Sequence, residues 1–166
     1  MKKILVVAIT LVMAFILTAC SNKSNAGYNT NSKVGQNTSG GEAMNNSSNV
    51  RIRLTFKNEE IFVKMYDNST SRDFLALLPL IMKLEDYAGE EKISYLPRKL
   101  SAKDAPSGSD PAVGDFTYFS PWGNLAIFYK DHSYANGLII LGKMESGIEK
   151  LADLRGDTTV KIEKID

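Results

Sequence analysis

The chain is poor in the residues that build covalent and metal-held frameworks. Of its 166 residues one is a cysteine, Cys20, and one is a histidine, His132. A lone cysteine excludes an internal disulfide and a thiolate metal cluster, and a lone histidine excludes a multi-histidine metal site. No metal or cofactor is expected. Charge of one sign is also lacking. Residues 50–166 hold 16 Lys plus Arg against 18 Asp plus Glu, with no basic stripe, so nucleic acid is not an expected partner. No glycine-rich nucleotide loop occurs. Long apolar runs are lacking except for one. Ile4 to Leu17 is 14 residues without a charge, well short of the ~20 that a helix needs to span a bilayer.

That run has informative flanks. Met1-Lys2-Lys3 gives a positive start, and Leu17-Thr18-Ala19-Cys20 follows. A charged start, an apolar stretch of this length and small residues before a cut are the parts of a secretory signal. The final four residues resemble the bacterial lipoprotein cleavage box, in which the thiol accepts the lipid. Residues 1–19 are therefore expected to be removed. Cys20 is expected to carry acyl chains of the palmitate class, which hold the protein on the extracytoplasmic face of the cell membrane. Each buried acyl CH₂ contributes ~0.8 kcal/mol, and stable anchoring takes two chains or more.

Residues 21–49 are mostly Asn, Ser, Gly and Thr, with Tyr28, Val34 and Met44 as the large apolar exceptions. Such a stretch cannot bury enough apolar surface to offset its ordering entropy. With Cys20 it reads as a disordered tether, whose 29 residues would reach roughly 30 Å end to end as a flexible coil.

Residues 50–166 make one domain and read mainly as β. Arg51 to Phe56 alternates polar and apolar, the period-2 pattern of a half-buried strand. Ile61 to Tyr66 follows after a Lys57-Asn58-Glu59 break. Further strands are expected at Leu80–Glu85, Lys92–Leu96, Phe116–Ser120, Leu125–Tyr129, Leu138–Lys143 and Thr158–Ile162. Asn68-Ser69 supplies a helix N-cap before Phe74, Leu75, Leu77 and Leu78 at helical spacing, and Pro79 stops that helix. A second helix is expected at Ile148–Leu154, and Ala102–Gly114 reads as a surface loop. Eight strands and two helices fit a closed barrel with helices at its ends, which abolishes exposed edges. Periodicity alone leaves a sandwich open.

Several stretches resemble the bacterial cyclophilin-like domain family. They are Tyr66 to Phe74, Leu84 to Tyr87, Glu91 to Arg98, Gly114-Asp115 and, above all, Tyr118-Phe119-Ser120-Pro121-Trp122-Gly123-Asn124-Leu125-Ala126-Ile127-Phe128-Tyr129. The resemblance covers residues 53–164. It implies a closed eight-stranded antiparallel barrel capped by two short helices. It also implies a groove in which true cyclophilins isomerise X-Pro bonds with an Arg, a His, a Trp and a Phe. Carried over by position, Phe128 falls at the pocket Phe, Leu138 stands where the His would be, and the Trp position falls near Ser133. Arg98 is the nearest candidate for the catalytic Arg, although Tyr95-Leu96-Pro97-Arg98 replaces the usual Phe-His-Arg run. Family members occur beside or fused to flavodoxin-like proteins, so a flavodoxin-like protein is one partner that the resemblance implies.

The groove candidates are thus Arg98, Phe119, Trp122, Phe128 and Leu138. Each has a plainer reading. Trp122 lies on a turn and either lines a groove or folds back over the barrel end. Tyr118 and Phe119 point to opposite faces of a strand, so one of them at most lines a given face. Phe128 either lines the groove or packs in the core. Arg98-Lys99 suits a carboxylate or phosphate, or is a solvated turn. Glu85-Asp86 and Glu90-Glu91 read as solvated pairs. Asp131-His132-Ser133 cannot form a hydrolytic triad, because triad members converge from separate segments. The expected function is binding of a peptide, a protein or a small ligand without catalysis. The alternative is prolyl isomerisation of secreted proteins.

Overall fold

A computed structural model of the protein describes residues 47–165. The signal-peptide run, Cys20 and residues 21–46 of the expected tether lie outside the described residues. Strands β1 (Ser47–Phe56) and β2 (Glu59–Tyr66) precede helix α1 (Ser69–Leu75). Strands β3 (Leu80–Tyr87), β4 (Glu91–Tyr95), β5 (Gly108–Ser109), β6 (Asp115–Phe119), β7 (Asn124–Phe128), β8 (Ala135–Asn136) and β9 (Leu138–Met144) follow. Helix α2 (Ile148–Ala152) and strand β10 (Thr158–Ile165) complete the order. Eight strands close an antiparallel barrel in the order β1-β10-β3-β4-β7-β6-β9-β2, and β5 pairs with β8 as a separate two-stranded ribbon. The barrel expectation holds and the sandwich does not.

Alternation explains the core. Ile52, Leu54 and Phe56 of β1, Ile61, Val63 and Met65 of β2, and Val160 and Ile162 of β10 all join one buried cluster. Phe116, Tyr118, Leu125, Ile127 and Leu141 extend it. Each helix sends a fully buried side chain into the same cluster, Phe74 from α1 and Leu151 from α2. Asn68 is the N-cap of α1, and its Oδ1 accepts from the Ser71 amide at 2.8 Å. The helix is then tied to β9 by side chains. Asn68 Nδ2 donates to the Ile140 carbonyl (3.0 Å) and Ser71 Oγ donates to the Leu141 carbonyl (2.9 Å).

Three departures from the expected elements have local causes. β1 begins at Ser47, ahead of the expected tether edge, because Ser48 Oγ donates to the Met65 carbonyl and accepts from the Val50 amide. Those hydroxyl bonds carry pairing through a β-bulge that hydropathy cannot signal. Helix α1 ends at Leu75, before Pro79, so Leu77 and Leu78 pack against the core from the turn that follows. The loop at 102–114 contains β5, a two-residue strand too short to show a period.

Candidate functional site

β7 is buried along its whole length, from Asn124 to Phe128. Leu125 and Ile127 face the core. Asn124, Ala126 and Phe128 alternate with them and face outward, so something must cover the outside of the barrel here. Ala126 and Phe128 join a second apolar cluster with Ile93 and Leu138, against which Phe119 and Ala135 pack.

Strand register assembles this outer patch. Tyr87 pairs with Glu91, and Glu91 pairs with Phe128. Asn124 pairs with Phe119, and Phe119 pairs with Leu138. Directly opposite residues of an antiparallel pair share a face. The two rows therefore lie side by side on the barrel's outer surface, drawn from five strands. They floor a cavity of about 280 Å³. Its walls come from the β6–β7 turn, which carries Trp122, and from the segment after β7, which carries His132. Gly123 turns the chain at φ +78, a left-handed conformation that suits glycine, and so lets Trp122 stand beside the groove.

The groove is aromatic and acidic. The Trp122 ring meets Tyr87 edge-on at 5.6 Å and Phe119 at 5.5 Å. The indole is 48% exposed, so its surface is open to a visitor. The imidazole of His132 lies 5.7 Å from the Phe128 ring, and its Nδ1 is 2.8 Å from Glu90 Oε2. Burial pushes the Glu91 carboxyl above the usual carboxylate range, and the neighbouring Glu90 adds to the rise while His132 opposes it. Asn124 is 1% exposed and its Nδ2 donates to the Leu125 carbonyl at 2.9 Å. Its Oδ1 is buried without a hydrogen-bond partner. No lysine or arginine lines the groove among the described residues.

Of the five candidates from sequence, Phe119, Trp122, Phe128 and Leu138 are brought together here. Arg98 is placed elsewhere. Its guanidinium grips Asp73 of α1 with two bonds, at 2.6 and 3.0 Å, and donates to the Lys99 carbonyl. Arg98 and the Ser101 amide together hold the Asp73 carboxyl below its ordinary range. Arg98 therefore staples the segment after β4 to the helix, which is neither an anion site nor a free turn.

Sequence reasoning missed Tyr87, Glu91, Asn124 and His132. The first three depend on cross-strand register, which the Ala88-Gly89 turn (φ 53 and 69) sets for Tyr87 and Glu91 and the turn at Gly123 (φ 78) sets for Asn124. His132 reaches the groove from a position beside Ser133, where the cyclophilin resemblance placed a Trp, while Leu138 occupies the expected histidine position. An imidazole is thus present in the groove by a different route.

The model of the cyclophilin-like family matches residues 54–163, which run from within β1 to within β10 and hold the six barrel strands between them whole. The chain belongs to the cyclophilin-like family. The cyclophilin-like barrel is also similar to the solution structure of a hypothetical protein from Archaeoglobus fulgidus, at 18% identity and a TM-score of 0.52. That likeness covers 75% of this chain and 99% of the archaeal one, and it speaks to the fold. No curated protein matches the chain.

Proposed function

We propose that this cyclophilin-like protein is a membrane-tethered, extracytoplasmic binding module whose outer-face groove holds a ligand without transforming it. The observation that carries the reading is the groove floor. Evolution of a soluble barrel normally leaves the outer face of a strand polar, yet β7 presents Asn124, Ala126 and Phe128 to a cavity, and Asn124 Oδ1 is buried without a partner. Pockets with apolar walls and a few unpaired polar groups are how proteins hold small ligands or single side chains.

The same groove argues for binding over isomerisation. The barrier to amide rotation is ~18–20 kcal/mol and comes from resonance. Lowering it takes a donor placed at the proline nitrogen and a site that favours the twisted form over the planar ones. Arg98, the candidate donor, is committed to Asp73. Apolar walls bind planar and twisted amides about equally.

The tether half of the reading rests on Leu17-Thr18-Ala19-Cys20. Cys20→Ala is expected to abolish lipidation and release the protein from the membrane fraction. Detergent phase partitioning and globomycin-sensitive processing measure this. Wild-type protein found wholly in the aqueous phase would refute the anchor.

A further inference from the structure

The groove's ligand chemistry follows from three features that point the same way. The first is charge. Glu90 and Glu91 line the groove, and no lysine or arginine does. Glu90 has His132 as a partner at 2.8 Å. Glu91 is half-buried beside Phe128, and among the described residues its carboxyl group has no hydrogen-bond or ion-pair partner. A carboxylate removed from water without a counter-charge attracts a cation.

The second feature is the arrangement of rings. Trp122 stands edge-on to Tyr87 and Phe119, at 85° and 80°, so ring faces of different orientation bound one small space. Aromatic faces are negative, and a cation within about 6 Å of a ring centroid is stabilised there, most strongly over Trp.

The third is Asn124. The Leu125 carbonyl can only accept, so the amide group of Asn124 must turn its NH₂ toward it. This leaves Oδ1 as a buried, unpaired acceptor on a residue that lines the groove. A buried acceptor without a donor is unfavourable, and a ligand N–H relieves it. Carboxylates and ethers cannot.

We propose that the groove selects an organic cation carrying N–H donors, an alkylammonium or guanidinium group, with Glu91 opposing its charge, Trp122 and its ring neighbours covering its stem and Asn124 Oδ1 accepting a hydrogen bond from its N–H. This rests on reading the groove as the ligand site. A volume of about 280 Å³ admits a small amine or one lysine or arginine side chain, which share this chemistry.

The chain has one tryptophan, so its fluorescence reports on the groove directly. The full chain, in non-ionic detergent at low salt, is titrated with n-butylammonium, n-butyltrimethylammonium, n-butanol, n-butyrate and N-acetyl-lysine methylamide. Saturable changes are expected with butylammonium and the lysine amide, with butanol and butyrate about tenfold weaker or worse. The trimethyl analogue should fall between, because it keeps the charge and lacks the N–H. Glu91→Gln, a change at a half-exposed site, should weaken the ammonium about tenfold and leave butanol unmoved. Tighter binding of the lysine amide than of butylammonium identifies a polypeptide side chain as the source, and the reverse identifies a free amine. Butanol or butyrate saturating as tightly as butylammonium would overturn the cation selectivity while leaving the groove as a binding site. No saturable response to any probe would overturn both.

Discussion

Phe74→Ala is expected to lower the stability of the barrel by about 4 kcal/mol, the usual range for deleting a fully buried aromatic ring. Phe74 is 0% exposed, and its ring lies 5.3 Å from that of Phe116 at 60°. Helix α1 has seven residues. A helix that short does not persist alone in water and depends on tertiary packing. Its other buried residues, Thr70 and Ser71, are polar and spend their hydroxyls on the Ser101 and Leu141 carbonyls. The phenyl ring is therefore the helix's apolar anchor. Chemical denaturation of wild type and variant gives the difference, and the dependence on denaturant should stay unchanged. A loss below about 1 kcal/mol would mean that the cavity collapses freely, and that α1 is an ornament on a barrel closed by other means.

A second large effect is expected where β3 and β4 meet the segment that follows the other helix, and it is asymmetric. Lys92 pairs with Ile127 in register, so it points to the inner face, and its side chain is 3% exposed. The ammonium donates to Asp86 Oδ1 at 2.6 Å and to the Leu154 carbonyl at 3.0 Å. It also lies 5.1 Å from the Tyr129 ring, and the Tyr129 hydroxyl donates to the same Asp86 oxygen at 2.6 Å. Asp86, by contrast, is 42% exposed. Removing the carboxylate strands a buried cation, which costs about 3 kcal/mol, whereas removing the lysine strands a carboxylate that water can reach. Asp86→Ala should therefore destabilise the protein more than Lys92→Met, which should cost roughly 1 kcal/mol. Equal losses would contradict the burial argument.

The pH dependence of the same pair has a definite sign. The bond from Lys92, and then that from Tyr129, hold the Asp86 carboxyl below its ordinary value. A depressed carboxyl contributes stability that is complete above the unfolded value, about 3.9, and disappears as pH falls through the lower folded value. Asp86→Ala should flatten that part of the acid limb. Burial and Asp86 push the Tyr129 hydroxyl up to about 12, so the phenol remains a donor throughout this range.

How much of this was readable beforehand differs between the barrel and the groove. Arg51 to Phe56 and Ile61 to Tyr66 alternate so regularly that the inward residues follow from the letters. The cap of α1 followed from Asn68, whereas its end at Leu75 comes ahead of the stop that Pro79 suggests. The outer face of β7 was harder. Leu125, Ala126, Ile127 and Phe128 form an unbroken apolar run, which shows burial on both sides without saying what covers the second side. Trp122 and Phe119 were recognisable as candidates because a tryptophan on a turn and an outward phenylalanine need an explanation. Glu91 was not, since an acidic residue beside a turn ordinarily faces water. What half-buries it is its pairing with Phe128 and the nearby return of the chain at His132, which meets the adjacent Glu90 across some forty residues. Arg98 was misplaced for the same reason, because its partner Asp73 lies on an earlier helix.

The central claim is that the outer-face groove binds and does not isomerise. The most direct test is exchange NMR on the isotope-labelled chain with the peptide acetyl-Lys-Ala-Pro-Phe-amide, in which one sample reports both site and chemistry. Uncatalysed cis–trans exchange at a prolyl bond takes roughly 10–100 s at 25 °C. The account predicts saturable shifts at the Trp122 indole, the Asn124 side-chain amide and the Phe128 and Leu138 signals, with the peptide's exchange rate unchanged. Accelerated exchange, or shifts confined to residues away from the groove, would contradict it.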